Sequence, residues 1–300
     1  ESLITPVLKS PTGEYSKYFS PVRFRTDHYW INEYCSKSLP ELINLEPVGV
    51  VSALKRQLIA VLELVRQTNP DDIELQTGYY WRIDIPKRRS EHGEAEVLDV
   101  LVDGLIDGLA EVCRQFVEVG EGILSKCLIS EHLILQRIAL HTLRSYGHNY
   151  PSLLYQVFLR RDYLETAVYT TEYRGLMRNQ FANASEEVQK KVVAWIISGP
   201  QDLDSRVSNR AAWQNRDATD DDRRQIREDW TLGHLALIRD HLSGEALDLL
   251  AQLQRQKAGR VVRPARVDRE GLGVDHEAVD QAQQEHDGQG ACDPWQFDIA

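Results

Sequence analysis

Residues 120–127 come closest to a catalytic motif, because they approach the pattern of a phosphate-binding loop. They read Gly-Glu-Gly-Ile-Leu-Ser-Lys-Cys, against GxxxxGK followed by Ser or Thr. Ser125 replaces the second glycine, and Cys127 replaces the hydroxyl residue that contacts Mg²⁺. The segment before them has the period of an amphipathic helix and not of a buried strand. We therefore interpret residues 120–127 as the end of a helix and expect no nucleotide site there.

Four carboxylates recur every four residues, at Asp99, Asp103, Asp107 and Glu111. This spacing places them along one face of a helix, where like charges repel weakly. A di-metal site in a helical bundle also needs Glu-x-x-His pairs, and the sequence contains none. The pattern therefore favours a solvated acidic face over a cation site, and a docking stripe for a basic partner stays open.

Histidines with candidate ligand spacing lie in two predicted helices. His132 and His141 lie in one of them, and His234 and His241 lie seven residues apart in a later one. Seven residues are about 10.5 Å of helical rise, too far for two side chains to bind one ion directly. No HExxH motif or Cys/His cluster supports zinc. His141 falls on the apolar stripe of its helix, so we expect a hydrogen-bonded core histidine.

Other catalytic signatures also fail to appear. The sequence has no GxSxG elbow, no paired Cys/His order and no glycine-rich dinucleotide loop after a strand. Residues 87–89 form a short basic cluster, which we interpret as a solvated turn, and the acidic residues 220–222 favour a helix N-terminus. The sequence therefore predicts no enzyme and no catalytic, cofactor-binding or metal-binding residue, and it leaves the partner-binding residues undefined.

Composition and charge restrict the function classes. The 300 residues carry a net charge of −11 with a pI near 5.3, which argues against binding nucleic acid or anionic membranes. No apolar run reaches the ~18 residues of a membrane span, and no signal-peptide pattern is present, so we expect a cytoplasmic protein.

Four widely spaced cysteines predict free thiols. Because the chain starts at Glu1 and contains one methionine, we expect a piece of a longer protein.

Apolar residues at helical spacing dominate the middle of the chain. Residues 73–93 are the only stretch whose alternating pattern is compatible with a strand or hairpin. Trp195 is expected to be buried on its helix, and Trp213 is expected to lie in a polar loop. The predicted amphipathic helices are residues 50–68, 98–116, 130–146, 151–158, 172–181, 185–198, 223–242 and 245–256.

Consecutive helices joined by short loops pack as antiparallel neighbours, as in helical bundles and α-solenoids. The sequence therefore predicts an all-α fold, an irregular HEAT-like helical-repeat array in the form of an α-solenoid or multi-helix bundle. Three regions are expected. The first is an irregular, aromatic-rich lead-in (1–48), in which prolines break long helices and short helices are expected around residues 28–36 and 39–45. It is followed by the helical-repeat domain (49–256) and a polar, loosely ordered segment (257–300).

Several motifs resemble one family in their order and spacing. Tyr-Trp-Arg-x-x-Ile at 80–85, the Leu-rich stretch 98–116, Ile-Ala-Leu-His-x-Leu at 138–143 and Trp-Ile-Ile-x-Gly-Pro at 195–200 are similar to the C-terminal helical region of large bacterial antiviral STAND NTPases. The likeness covers roughly residues 50–256. The chain departs from the family after Ile85, where Pro-Lys-Arg-Arg replaces an acidic, amide-rich stretch, and it contains no NTPase core.

The resemblance implies a non-catalytic sensor or scaffold segment of a larger defence ATPase. Its partner would be a phage protein, and self-association would occur through the full-length protein. The first alternative is a generic helical-repeat adaptor without a defence role, and a hidden hydrolase or nuclease is the third class that stays open.

Overall fold

The computed structural model describes residues 6–8, 22–24, 33–68, 85 and 97–261. The chain divides into two compact units, Glu1–Arg255 and Gln256–Ala300. The second unit is described only at residues 256–261, where the last helix ends. The hairpin allowed at 73–93 (apart from Ile85), the basic cluster 87–89 and Cys292 lie outside the described residues.

Helices account for nearly all of the described residues, which confirms the predicted all-α helical array. Four 3-10 helices (Gly147–Asn149, Ala167–Tyr169, Phe181–Asn183 and Ala236–His241) and a π-helix (Tyr34–Ser38) accompany the α-helices. The α-helices are α1 Leu39–Leu45, α2 Pro47–Thr68, α3 Val97–Gln115, α4 Val117–Leu128, α5 Leu133–Tyr146, α6 Pro151–Phe158, α7 Arg161–Glu165, α8 Thr170–Gln180, α9 Glu186–Ser198, α10 Leu203–Trp213, α11 Asp220–Leu235 and α12 Glu245–Val261.

The best-predicted boundaries have local capping chemistry. The Ser185 hydroxyl accepts a hydrogen bond from the backbone N–H of Val188 and starts α9. Gly199 ends α9 with a φ of 83°, a left-handed conformation that glycine adopts without a steric penalty. Pro151 occupies the first turn of α6, where its missing N–H costs nothing. These three boundaries match the sequence prediction.

The lead-in differs from its prediction as an irregular segment. Strands β1 (Pro6–Leu8) and β2 (Val22–Phe24) pair antiparallel, with Val7 opposite Arg23. Three-residue strands are too short to show a period of two, which explains why the sequence pattern missed them. The short helix expected around residues 39–45 is present as α1, and Pro40 and Pro47 are tolerated because each lies in the first turn of its helix, α1 or α2.

The predicted apolar stripes form the core. α2 packs along α3. The predicted stripe of α2 is buried at all five of its positions, Leu54, Leu58, Val61, Leu62 and Val65. α3 also contacts α4 and α5, and α5 packs against α8. α11 contacts both α9 and α10. Edge-to-face aromatic contacts join the end of α6 to α8 and to the 3-10 helix that follows it. The ring centroids of Phe158 and Tyr173 lie 6.1 Å apart, and those of Phe158 and Phe181 lie 5.9 Å apart.

One segment was assigned to the wrong element, and one predicted helix has different bounds. Residues 203–213 form α10, where the sequence predicted a polar loop; α10 buries only Val207 and Ala211 and therefore shows no apolar stripe. The predicted helix 223–242 begins earlier, at Asp220, and ends as a 3-10 helix around Ile238. Thr219 and Asp222 form a capping box at its start, so the acidic residues 220–222 lie in the first turn of α11.

None of the described helices combines the length and the apolarity that a membrane crossing requires.

Candidate functional site

Three large apolar side chains are exposed together where α3 meets α4. Phe116, Val117 and Val119 expose 43%, 41% and 42% of their surface, and we call these three residues the α4 patch. Phe116 was predicted to continue the buried stripe of α3, and that prediction is wrong. Its φ of −134° and ψ of 67° interrupt the helix, which turns its ring out of the stripe.

The position of the α4 patch is fixed by a close helix approach. Gly120 is buried one turn into α4, and a Cβ atom there would lie 2.4 Å from the hydroxyl oxygen of Tyr150. Tyr150 is itself 1% exposed and has little room to move. Only glycine allows this approach, so Gly120 sets how α4, and with it the patch, leaves α3.

The four carboxylates along α3 do not form the fully solvated acidic face that the sequence predicted. Asp99 and Glu111 are buried, whereas Asp103 is half-buried and Asp107 exposed. The Glu111 carboxylate accepts hydrogen bonds from Arg114 and Gln115, and the Arg114 bond lowers the pKa of Glu111. Glu111, Arg114 and Gln115, which directly precede Phe116 along α3, are therefore already paired with one another.

The largest buried polar group joins α5, α8 and Ile85. The side chains of Arg137 and Glu172 are 0% and 1% exposed. Arg137 donates from Nη2 to Glu172 Oε1 at 2.9 Å and from Nε to Oε2 at 3.2 Å, while the Ile85 N–H donates to Oε1 at 3.1 Å. Burial raises the pKa of Glu172, against the lowering effect of Arg137. Ile85 belongs to one of the family-like motifs, and here it anchors its segment to the core.

A second network of buried polar groups surrounds Gln136 at the start of α5. The hydroxyls of Tyr163 and Tyr169 both donate to its Oε1, each at 3.0 Å. Arg160 lies 4.0 Å from the Tyr163 ring centroid and donates to the Tyr163 hydroxyl. Burial raises the pKa of Tyr169 to about 12. Protonated tyrosines that are fully engaged inside the core stabilise the array and are unsuited to catalysis.

The predicted histidine candidates are dispersed. His132 caps α5, and His141 lies half-buried on the same helix. His234 is partly buried on α11, 4.1 Å from the Trp230 ring, and its Nδ1 lies 2.8 Å from the Trp230 carbonyl oxygen. Burial lowers the pKa of His234 to about 4, so it is neutral at pH 7. His241 is exposed in the 3-10 helix after α11.

Cys113 and Cys127 are buried free thiols, as predicted. Burial raises the pKa of Cys113 and Cys127, which disfavours the thiolate that a nucleophile needs. The phosphate-loop near-match forms the last two turns of α4, which ends at Leu128, in agreement with the predicted helix end. Its backbone N–H groups are directed along a helix, so residues 120–127 cannot form the cradle of a phosphate loop.

Within the described part of the chain, one cluster of groups could hold a metal ion. Glu63 of α2 and Glu131 and His132 of the α4–α5 connection each offer a ligand atom, all within 4.8 Å of one another. His132 Nε2 lies 3.4 Å from Glu63 Oε1. Arg66 contacts Glu63 at 2.7 Å and Glu131 at 3.5 Å. Sequence patterns predicted no metal site, because these ligands come from segments 68 residues apart in the chain and share no spacing motif.

Sequence reasoning also missed Arg137 and Glu172, which lie 35 residues apart. The available signal was that charged residues interrupt the apolar faces of α5 and α8.

No protein-family model, curated protein or solved structure matches the chain.

Proposed function

We propose that this chain binds a protein partner through the α4 patch and catalyses no reaction itself. It serves as the sensor or scaffold segment of a larger STAND-type NTPase that defends bacteria against phages, working in the cytoplasm as a HEAT-like helical-repeat array. The observation that carries the binding role is the exposure of Phe116, Val117 and Val119 together at one helix junction.

Burial energetics support a docking role for this patch. Exposed apolar residues scattered singly are normal, whereas a cluster rimmed by polar groups is typical of an interaction site. Aromatic anchors surrounded by smaller contacts supply much of the binding energy of protein interfaces. Phe116 could act as such an anchor, with Val119 one turn along α4, Val117 exposed next to it in the sequence, and the hydrogen-bonded Arg114 two residues before it.

The defence role rests on the motif resemblance. Among the matched motifs, Ile85, the 138–143 stretch of α5 and the Gly199 helix end lie in or against the helical core. These positions support a shared helical scaffold, with recognition left to the surface.

The test begins with the intact gene. Its reading frame should encode an NTPase core with a complete phosphate loop upstream of this segment, and bacteria carrying it should resist a phage panel. Phages that escape should carry mutations in one gene, whose product is the partner. A reading frame without an NTPase core would contradict the defence assignment and favour the generic adaptor.

A further inference from the structure

The cluster of Glu63, Glu131 and His132 joins two separate parts of the fold. Glu63 lies near the end of α2, and the other two residues lie in the α4–α5 connection. His132 Nε2 and Glu63 Oε1 are 3.4 Å apart. Ligands bound to Zn²⁺ at about 2.0–2.1 Å in a tetrahedron are separated by about 3.3 Å. His132 Nε2 and Glu63 Oε1 therefore have the separation of two atoms bound to the same zinc ion.

The connection that carries two of the ligands is held in place by other groups. The backbone N–H of His132 donates to Ser130 Oγ at 3.2 Å, and Gln136 Nε2 donates to the Ser130 carbonyl oxygen at 2.6 Å. Gln136 is itself fixed by two buried tyrosine hydroxyls. This support orders the backbone beneath the ligands, as metal sites require. Glu131 is exposed, so its carboxylate has room to turn toward an ion.

Arg66 shows that the two carboxylates already gather around a cation. Its guanidinium lies between them, at 2.7 Å from Glu63 and 3.5 Å from Glu131, and its side chain is 51% exposed. Exposed ion pairs of this kind contribute little to stability, so the guanidinium can move into solvent at small cost. A divalent ion placed there would meet both carboxylates and the imidazole.

We propose that Glu63, Glu131 and His132 bind a divalent transition-metal ion, with Arg66 displaced on binding. One nitrogen and two carboxylate oxygens form a donor set that suits Zn²⁺, whereas Ca²⁺ prefers six to eight oxygens. The bound ion links the end of α2 to the α4–α5 connection. The site is independent of partner binding at the α4 patch.

The test is calorimetric titration of the metal-stripped chain with ZnCl2, together with thermal unfolding. The wild type should bind one equivalent and unfold at a higher temperature when loaded. His132→Ala and Glu63→Gln should each weaken binding at least tenfold. Arg66→Gln should tighten binding, because it removes the competing cation.

The matched control is His148→Ala, which removes an exposed histidine of the 3-10 helix after α5 and should leave the affinity unchanged. The absence of saturable binding, or equal losses in His132→Ala and His148→Ala, would overturn the proposal. So would an Arg66→Gln variant that binds zinc no more tightly than the wild type. This last outcome does not depend on whether the ligand variants fold.

Discussion

Removing one member of the buried Arg137–Glu172 pair should destabilise the fold strongly, whereas replacing both should cost much less. Both side chains are at most 1% exposed, and two hydrogen bonds join them. Glu172→Gln removes the charge that compensates a guanidinium inside the core. Arg137→Met leaves a buried carboxylate that still accepts the hydrogen bond from the Ile85 N–H but has lost its compensating charge.

Each single substitution should lower the free energy of unfolding by about 3–5 kcal/mol, the usual cost of leaving half of a buried pair. Burial already raises the pKa of Glu172 despite Arg137, so desolvation outweighs the attraction between them. For this reason the Arg137→Met/Glu172→Leu double variant should lose less than the sum of the singles, by at least about 2 kcal/mol.

Urea unfolding at pH 7, followed by circular dichroism, measures all three variants. The matched control is the exposed pair Lys190–Glu186, at 2.6 Å, whose disruption by Lys190→Ala should leave the unfolding midpoint unchanged. A decrease in the free energy of unfolding below about 1 kcal/mol in the single variants would refute the reasoning, because an exposed pair behaves in that way. So would a decrease in the double variant equal to the sum of the two single decreases, because that is the behaviour of an uncoupled pair.

Three further predictions concern stability. Trp195→Ala should cost about 1–3 kcal/mol and Trp213→Ala less than about 1 kcal/mol in urea unfolding, because Trp195 is half-buried and Trp213 is 76% exposed. Gly120→Ala should cost about 1–2 kcal/mol, since the clash with Tyr150 outweighs the gain in helix propensity, and Tyr150→Phe should relieve that clash. Burial lowers the pKa of His234 from the ordinary 6.5 to about 4 in the folded chain, so the unfolded chain binds more protons between these pH values. Stability should therefore fall by about 2–3 kcal/mol as the pH drops from 6.5 to 4, and His234→Gln should remove most of this dependence; equal slopes would contradict it.

The sequence predicted helices well where one apolar face and a capping residue coincide. α9 is the clearest case, because Ser185 starts it, its stripe is buried and Gly199 ends it. α10 was missed because a helix that buries only Val207 and Ala211 has no stripe to detect. Trp195 illustrates an intermediate case. It lies on the predicted stripe but is only half-buried, with Lys191 Nζ 5.5 Å from its ring centroid.

The candidate sites were beyond the reach of sequence patterns because each depends on tertiary contacts. Phe116 continues the spacing of α3, and only a break in backbone geometry turns it outward. Arg137 meets Glu172, and Glu63 meets His132, across helices far apart in the chain. Periodicity describes one helix at a time, so it cannot report which polar groups two packed helices bring together.

The affinity of this chain for the product of the phage escape gene tests the central claim most directly. Calorimetry should show that Phe116→Ser weakens binding at least tenfold, the loss of a hot-spot anchor, while the fold is unchanged by circular dichroism. Leu247→Ser is the matched control, because Leu247 is 40% exposed but lies on α12, away in sequence from the α4 patch. Leu247→Ser should bind as the wild type does. Equal affinities of the Phe116→Ser variant and the wild type would contradict recognition through the α4 patch.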